Sequence, residues 1–152
     1  MPTQITIEDA SIRMLDDFHK IEQQCFLDEA FSKEQIGYLL LDYNTVSLAV
    51  RVDSELAGFI IGRIDLVRNR RFGHIMTIDV LPGFRRMGVG QRLLIEIEAI
   101  FKQKDAKEIR LEVREGNVAA IALYEKLGYQ RISRLDNYYG DAHGFYLRKP
   151  LF

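Results

Sequence analysis

A single cysteine, Cys25, has no partner with which to close an internal disulfide, so no cross-link holds this chain of 152 residues together. Phe18, Ile21 and Phe26 surround it at helical spacing and no histidine is near it in sequence, which marks a buried structural thiol rather than a nucleophile. His19, His74 and His143 are scattered, with no H-x-x-x-H or H-x-E pairing; metal-site spacing is lacking and no metal is expected. Charge of one sign is lacking too. Lys plus Arg number 21 and Asp plus Glu 22, a net charge of −1, which gives no electrostatic reason to expect nucleic acid or an anionic membrane. No apolar run reaches the roughly 18 residues of a membrane span and no secretory signal is recognisable, so a soluble, cytoplasmic protein is expected. Internal repeats and linkers are missing as well. With 47% apolar and 28% charged residues, one domain over 1–152 with a real core is expected.

What is present is organised around residues 74–102. The partly β-branched run over 74–80 stops near Pro82 and reads as a strand, whereas Leu93, Leu94, Ile97, Ile100 and Phe101 recur at helical spacing. Between them lies Arg85-Arg86-Met87-Gly88-Val89-Gly90. A helix begins with four unpaired backbone N–H groups and roughly half a positive charge, so anions bind there. Gly88 and Gly90 lack a Cβ that would hold a phosphate off the backbone, and Arg85 and Arg86 add positive charge. A Walker loop is excluded because Gln91 and Arg92 follow Gly90, and a dinucleotide fingerprint because Leu93 stands where its third glycine belongs. A glycine-rich strand-to-helix turn with no ligand is the plain alternative.

The rest of the chain interleaves strands and helices. An N-terminal strand is expected within 4–14, centred on 11–14, followed by a helix capped by Asp16. Ser32 and Gln35 form a capping box ahead of Ile36, Leu39 and Leu40. The connector over 26–31, with two aromatics and two acids, is either a solvated loop or a substrate lining. Strands over 46–52 and 58–64 make a hairpin, and Arg68, Arg70 and Arg71 read as a solvated loop. Ile109, Leu111 and Val113 alternate with Arg110, Glu112 and Arg114, a half-buried strand. Asn117 caps a helix that Gly128 ends, and strands over 129–134 and 144–149 close the chain. The class is one mixed α/β domain.

Two separated motifs now agree. Arg85-x-x-Gly88-x-Gly90 after a strand resembles the coenzyme A loop of the GNAT acetyltransferase superfamily, Q/R-x-x-G-x-G/A. The run Leu111-Glu112-Val113-Arg114 through Asn117, Ala120-Ile121, Leu123-Tyr124 and Gly128-Tyr129 is similar to a segment of the ribosomal-protein alanine N-acetyltransferases and archaeal N-terminal acetyltransferases, and Asn137-Tyr138-Tyr139 resembles their next element. The resemblance implies a GNAT fold: a mostly antiparallel twisted sheet splayed at the cofactor cleft, with helices on both faces. It implies acetyl-CoA as donor, held by backbone groups of Ile78, Asp79 and Val80, by Arg85, Arg86, Met87, Gly88, Val89, Gly90 and Gln91, and by Asn117. It also implies Glu112 as general base through a water, Tyr124 as acid near the thiolate, and Phe31, Tyr138 and Tyr139 on the acceptor side. Departures bear on the substrate: Asp79 replaces a small or apolar residue, and either binds substrate or faces solvent, while His143-Gly144-Phe145 replaces an acidic residue and alanine.

Acetyl transfer needs a neutral amine. At neutral pH an α-amino group near pKa 7.8 costs roughly 1 kcal/mol to deprotonate and a lysine near 10.4 about 4.6 kcal/mol, so a modest base serves an N-terminus. The expected partner is therefore a protein or peptide N-terminus, such as that of a ribosomal protein, on a monomer or weak dimer. The rivals are a small amine or a lysine as acceptor, and a non-catalytic acyl-CoA-binding module.

Overall fold

The computed structural model describes residues 3–152, the side chain of Asp28 excepted. Its elements are β1 (Ile5–Asp9), α1 (Leu15–Phe26), α2 (Lys33–Leu41), β2 (Thr45–Val52), β3 (Glu55–Val67), β4 (Arg70–Val80), α3 (Val89–Gln103), β5 (Ala106–Arg114), α4 (Val118–Lys126), β6 (Gln130–Leu135) and β7 (Gly144–Pro150). The seven strands form one sheet in the order β1-β2-β3-β4-β5-β7-β6, antiparallel throughout except where β4 meets β5. This is the mixed, mostly antiparallel sheet expected from the sequence.

Local chemistry explains most boundaries. Ser32 and Gln35 close the expected capping box on α2. Tight turns join β2 to β3 and β3 to β4, through Asp53-Ser54 and Arg68-Asn69, all four at positive φ as the primed hairpin turns require. Arg68 is thus a turn residue, whereas Arg70 and Arg71 open β4 rather than lying in a loop, and Arg71 donates to the Lys104 carbonyl beyond α3. The N-terminal strand lies at Ile5–Asp9 instead of 11–14: Ile5 and Ile7 pack on the core while the strand pairs with β2, and Ile12–Met14 is a 3-10 turn leading into α1. Asp16 does not cap that helix. It sits in the first turn and pairs with Lys33, where a negative charge still suits the helix dipole.

The sheet carries a core on each face. α3 and α4 cover one side, with Leu93, Leu94, Ile97, Phe101, Ile121 and Tyr124 buried among them. α1 and α2 cover the other, where Phe18 stacks on Phe59 at 4.0 Å. α3 lies unusually close to the sheet, since a Cβ at Gly62 or Gly73 would come within 2.6 or 2.5 Å of the Phe101 ring.

Two irregularities shape the middle of the sheet. β3 pairs with β4 as Ile61 to Thr77 but Gly62 to Ile75, so Met76 is an extra residue, a bulge. The bulge breaks the two-residue alternation: Ile75 packs toward α3 and so do Ile78 and Val80, while Met76 packs on the opposite core and Thr77 meets α1. β4 and β5 pair only through Arg71, Gly73 and His74, ending at His74 opposite Arg110. Beyond that point β4 stays with β3 as far as Val80, and β5 stays with β7 as far as Arg114, so the sheet parts between them. Among the described residues no helix is long and apolar enough to cross a membrane.

Candidate active site

The anion-binding end lies where β4 hands over to α3. Gly88 takes the N-cap position at φ 75°, a left-handed conformation that a side chain would strain, and a Cβ there would meet nothing within 4 Å. The first bond within this turn is Arg92 N–H to the Gly88 carbonyl, which leaves the amides of Val89, Gly90 and Gln91 without intrahelical partners. Buried Val89 pins the turn to the core, and Met87 and Arg86 stand exposed. A diphosphate fits this open, donor-rich end.

Three expectations for this end need correction. Gly90 does not open the backbone to an anion: its Cβ would point at Leu123, Val80 and Ile78 at 3.5–3.9 Å, so its small size serves packing of α3 on β4 and α4. Arg85 is not a free cation beside the phosphates, because its Nε donates to the Val80 carbonyl at 3.0 Å and its guanidinium approaches Cys25 Sγ at 3.9 Å. That same carbonyl, expected to hold the cofactor, also accepts from Cys25 Sγ at 3.6 Å. Burial and the nearby Asp79 charge, against the pull of Arg85, push the Cys25 thiol up to about 11, in keeping with an inert thiol.

Glu112 alternates with buried Leu111 and Val113, so it faces away from the α3 core. There it accepts a hydrogen bond from His74 Nε2 at 2.8 Å, directly where β4 and β5 part. His74 Nδ1 lies 3.7 Å from Asp65 Oδ2, and Arg63 Nε donates to Asp65 Oδ1 at 2.8 Å. Polar groups therefore link β3, β4 and β5 across the face turned away from α3. His74 is a site residue that sequence reading passed over; it stands 38 positions from Glu112, and only the parallel pairing of their strands joins them.

Tyr124 comes from the opposite side, on α4, buried at its ring; desolvation, with lesser contributions from Tyr139 and Asp79, raises its pKa far above the usual phenol, so it keeps its proton at neutral pH. Asn117 caps α4, its Oδ1 accepting from Ala120 N–H at 3.3 Å, which leaves the side-chain amide donors for a ligand. Gln91 accepts from Lys126, tying α3 to α4.

The side where the acceptor is expected is framed by two loops. Tyr138 and Tyr139 meet edge to face at 4.9 Å, and both feel the Glu112 charge, after burial the common cause that lifts their phenols. Arg114 bonds Glu29 of the 27–31 connector and, at 2.8 Å, Asp141 of the loop before β7, so one guanidinium clasps both loops. Phe31 lines a groove of about 310 Å³ with Glu34, Gln35, Tyr38, Leu39, Arg63 and Met76. Asp79 does not face solvent: it is 1% exposed, against α1.

A half-open sheet beside a glycine-capped helix N-terminus, with a carboxylate on one side of the opening and a protonated phenol on the other, defines a transferase that takes an acyl group from a nucleotide thioester. The chain belongs to the acetyltransferase (GNAT) family, whose model matches residues 12–129. It is similar to an N-alpha-acetyltransferase of Sulfurisphaera tokodaii, at 36% identity over 117 residues that cover 71% of this chain and 70% of the relative. In structure it is similar to the ribosomal-protein-S18-alanine N-acetyltransferase of Escherichia coli, at 25% identity, TM-score 0.86 and coverage of 97% and 94% of the two chains. It is equally like a chain of the NatC complex bound to Gag peptide and CoA, at 25% identity, TM-score 0.89 and coverage of 98% and 99%. The protein is an N-acetyltransferase that uses acetyl-CoA.

Proposed function

We propose that this chain, acting as one catalytic domain in the cytoplasm, acetylates the α-amino group of a protein, with ribosomal proteins whose first residue is alanine as the first candidates. The observation that carries the reading is the His74–Glu112 hydrogen bond at the mouth of the gap, on the face framed by Phe31, Tyr138 and Tyr139. A carboxylate steadied there is a modest base, adequate for an α-amine and poorly matched to a lysine. The names of the relatives point the same way.

Acetyl-CoA, when bound, supplies an activated thioester. The chain's own residues do the rest. The free amides of Val89, Gly90 and Gln91 and the turn at Gly88 hold the diphosphate, with Arg86 adding charge and Asn117 donating its side-chain amide. Edge groups of β4 between Ile78 and Val80 are unpaired with β5 and, the Val80 carbonyl excepted because Arg85 and Cys25 occupy it, are free to orient the acetyl end. Glu112 takes the amine proton, directly or through a water, while His74 holds the carboxylate in place. Tyr124, kept protonated, donates to the departing sulfur.

A thiol-release assay tests the reading with N-terminal peptides, lysine-bearing peptides blocked at the N-terminus, and small free amines. Turnover on free N-termini is expected; activity on small amines alone overturns the acceptor. Glu112→Gln and Tyr124→Phe should each lower kcat about tenfold or more. Unchanged acyl-CoA binding with no turnover in the parent protein would instead mark a binding module.

A further inference from the structure

His143-Gly144 stands where the resemblance leads one to expect an acidic residue and alanine, and the scheme above gives these two residues no part. Both shape the loop that carries Tyr138 and Tyr139. His143 Nδ1 accepts the Asn137 N–H at 2.9 Å and the Tyr139 N–H donates to the Ala142 carbonyl at 3.1 Å, so the loop closes on itself. Its far end is tied down as well: the Glu115 N–H donates to the His143 carbonyl at 2.9 Å, and Arg114 holds Asp141 at 2.8 Å.

Gly144 opens β7 directly opposite Arg114 of β5, two residues along from the Glu112–Tyr146 pair. Opposed residues of an antiparallel pair share a face, and Arg114 follows buried Val113, so a side chain at position 144 would stand on the same face as Glu112. There it would strike Tyr139. A Cβ on Gly144 would lie 2.8 Å from the Tyr139 ring atom Cε2 and 3.1 Å from the Val113 carbonyl oxygen. The ring therefore rests on bare β7 backbone, with the Arg114 guanidinium 5.7 Å from its centre. Gly144 is buried beneath it, whereas Tyr139 itself is only half-buried and can meet a ligand. The phenol sits among the groups of the opening: burial raises its pKa, Tyr138, Glu112 and Glu29 add to the rise, Arg114 opposes it, and Tyr139 contributes in turn to the shift at Tyr124. Gly144 is an ordinary strand residue and not one of the glycines at positive φ, so what it supplies is room. An added methyl group would lift the ring off the strand, on the side where Glu112 stands.

We propose that Gly144 is a specificity-determining position: by letting Tyr139 lie back against β7, it sets the room left for the side chain of the acceptor's first residue. The inference rests on reading this face as the acceptor side of the acetyl-transfer site, and it adds which dimension of the acceptor the chain measures.

Two peptides that differ only in the first residue, alanine in one and valine in the other, test it by thiol release. Gly144→Ala should lower kcat/KM for the valine peptide relative to the alanine peptide about fivefold, the scale of one methyl group forced into a packed contact. The KM for acetyl-CoA should stay within about twofold. Tyr139→Ala should move the same ratio the other way, toward valine, and in that background Gly144→Ala should change it by less than about twofold, because no ring remains to be lifted. If Gly144→Ala fails to fold, judged by circular dichroism and acetyl-CoA binding, the ratio in Tyr139→Ala decides alone. A ratio that Gly144→Ala or Tyr139→Ala leaves unmoved overturns the role of Gly144 while the transfer reading stands. So does a full shift from Gly144→Ala in the Tyr139→Ala background, which would trace it to the β7 backbone. Transfer by the parent protein to small amines alone, or to no amine, overturns the acceptor reading and this inference with it.

Discussion

His74 pairs with Arg110 on the last rung where β4 and β5 still meet, and its ring reaches Glu112, two residues farther along β5, at 2.8 Å, so the two side chains join at the point where the sheet begins to open. Neither residue alone determines its position. If they work as one unit, Glu112→Gln should lower kcat about tenfold or more, His74→Ala should cost less, and the double variant should be no slower than Glu112→Gln within about twofold. Steady-state thiol release measures all three. Fully multiplicative losses would show that His74 acts elsewhere.

The buried Asp79 carboxyl gives a pH-dependent stability whose sign follows from its direction of shift. Its folded-state pKa lies well above the ordinary aspartate value near 3.8, so between these two values the folded protein holds a proton that the unfolded chain has released. Stability therefore falls as pH rises from about 4 through the folded pKa, and is flat below that window. Asparagine cannot titrate. The Tm of Asp79→Asn, relative to the parent protein, should rise between pH 5 and pH 8 in thermal denaturation; a constant difference would mean that Asp79 ionises normally.

Cys25 should be unreactive in the native state. A thiol raised from 9.0 to about 11 carries about a hundredfold less thiolate at neutral pH, and the thiolate is the reacting form. Iodoacetamide at pH 7.5 should label it at least about fiftyfold more slowly than the same protein unfolded in guanidinium. Comparable rates would place the thiol in a more polar setting.

The two glycines of the anion turn should behave differently. Gly88→Ala forces a side chain into φ 75° and should cost about 1–2 kcal/mol of stability and raise the KM for acetyl-CoA. Gly90→Ala meets only ordinary contacts at 3.5–3.9 Å inside the first helical turn, and should be neutral or up to about 1 kcal/mol stabilising. Chemical denaturation and acetyl-CoA titration distinguish the two.

Much of the fold is legible because it is local. The Ser32–Gln35 capping box, the alternation through Ile109, Leu111 and Val113, and the apolar stripe of α3 each need only a few neighbouring residues. The N-terminus was harder: Ile5 and Ile7 make too short an alternation to stand out until Val50 and Val52 of β2 pair beside them. In the site, Asp79 was ambiguous for a related reason. Which of the two cores it faced depended on the Met76 bulge, since one unpaired residue changes the face that every later side chain takes.

The order strand, glycine turn, helix, and with it a place for an anion, was determined by the sequence alone, because glycines and periodicity act over a few residues. Tertiary structure decided which charged groups meet. His74 reaches Glu112 over 38 positions, Thr77 reaches Glu22 over 55 and Arg114 reaches Glu29 over 85. Such pairs depend on strand order, register and the packing of α1 against β4, and these are settled only when the whole core closes.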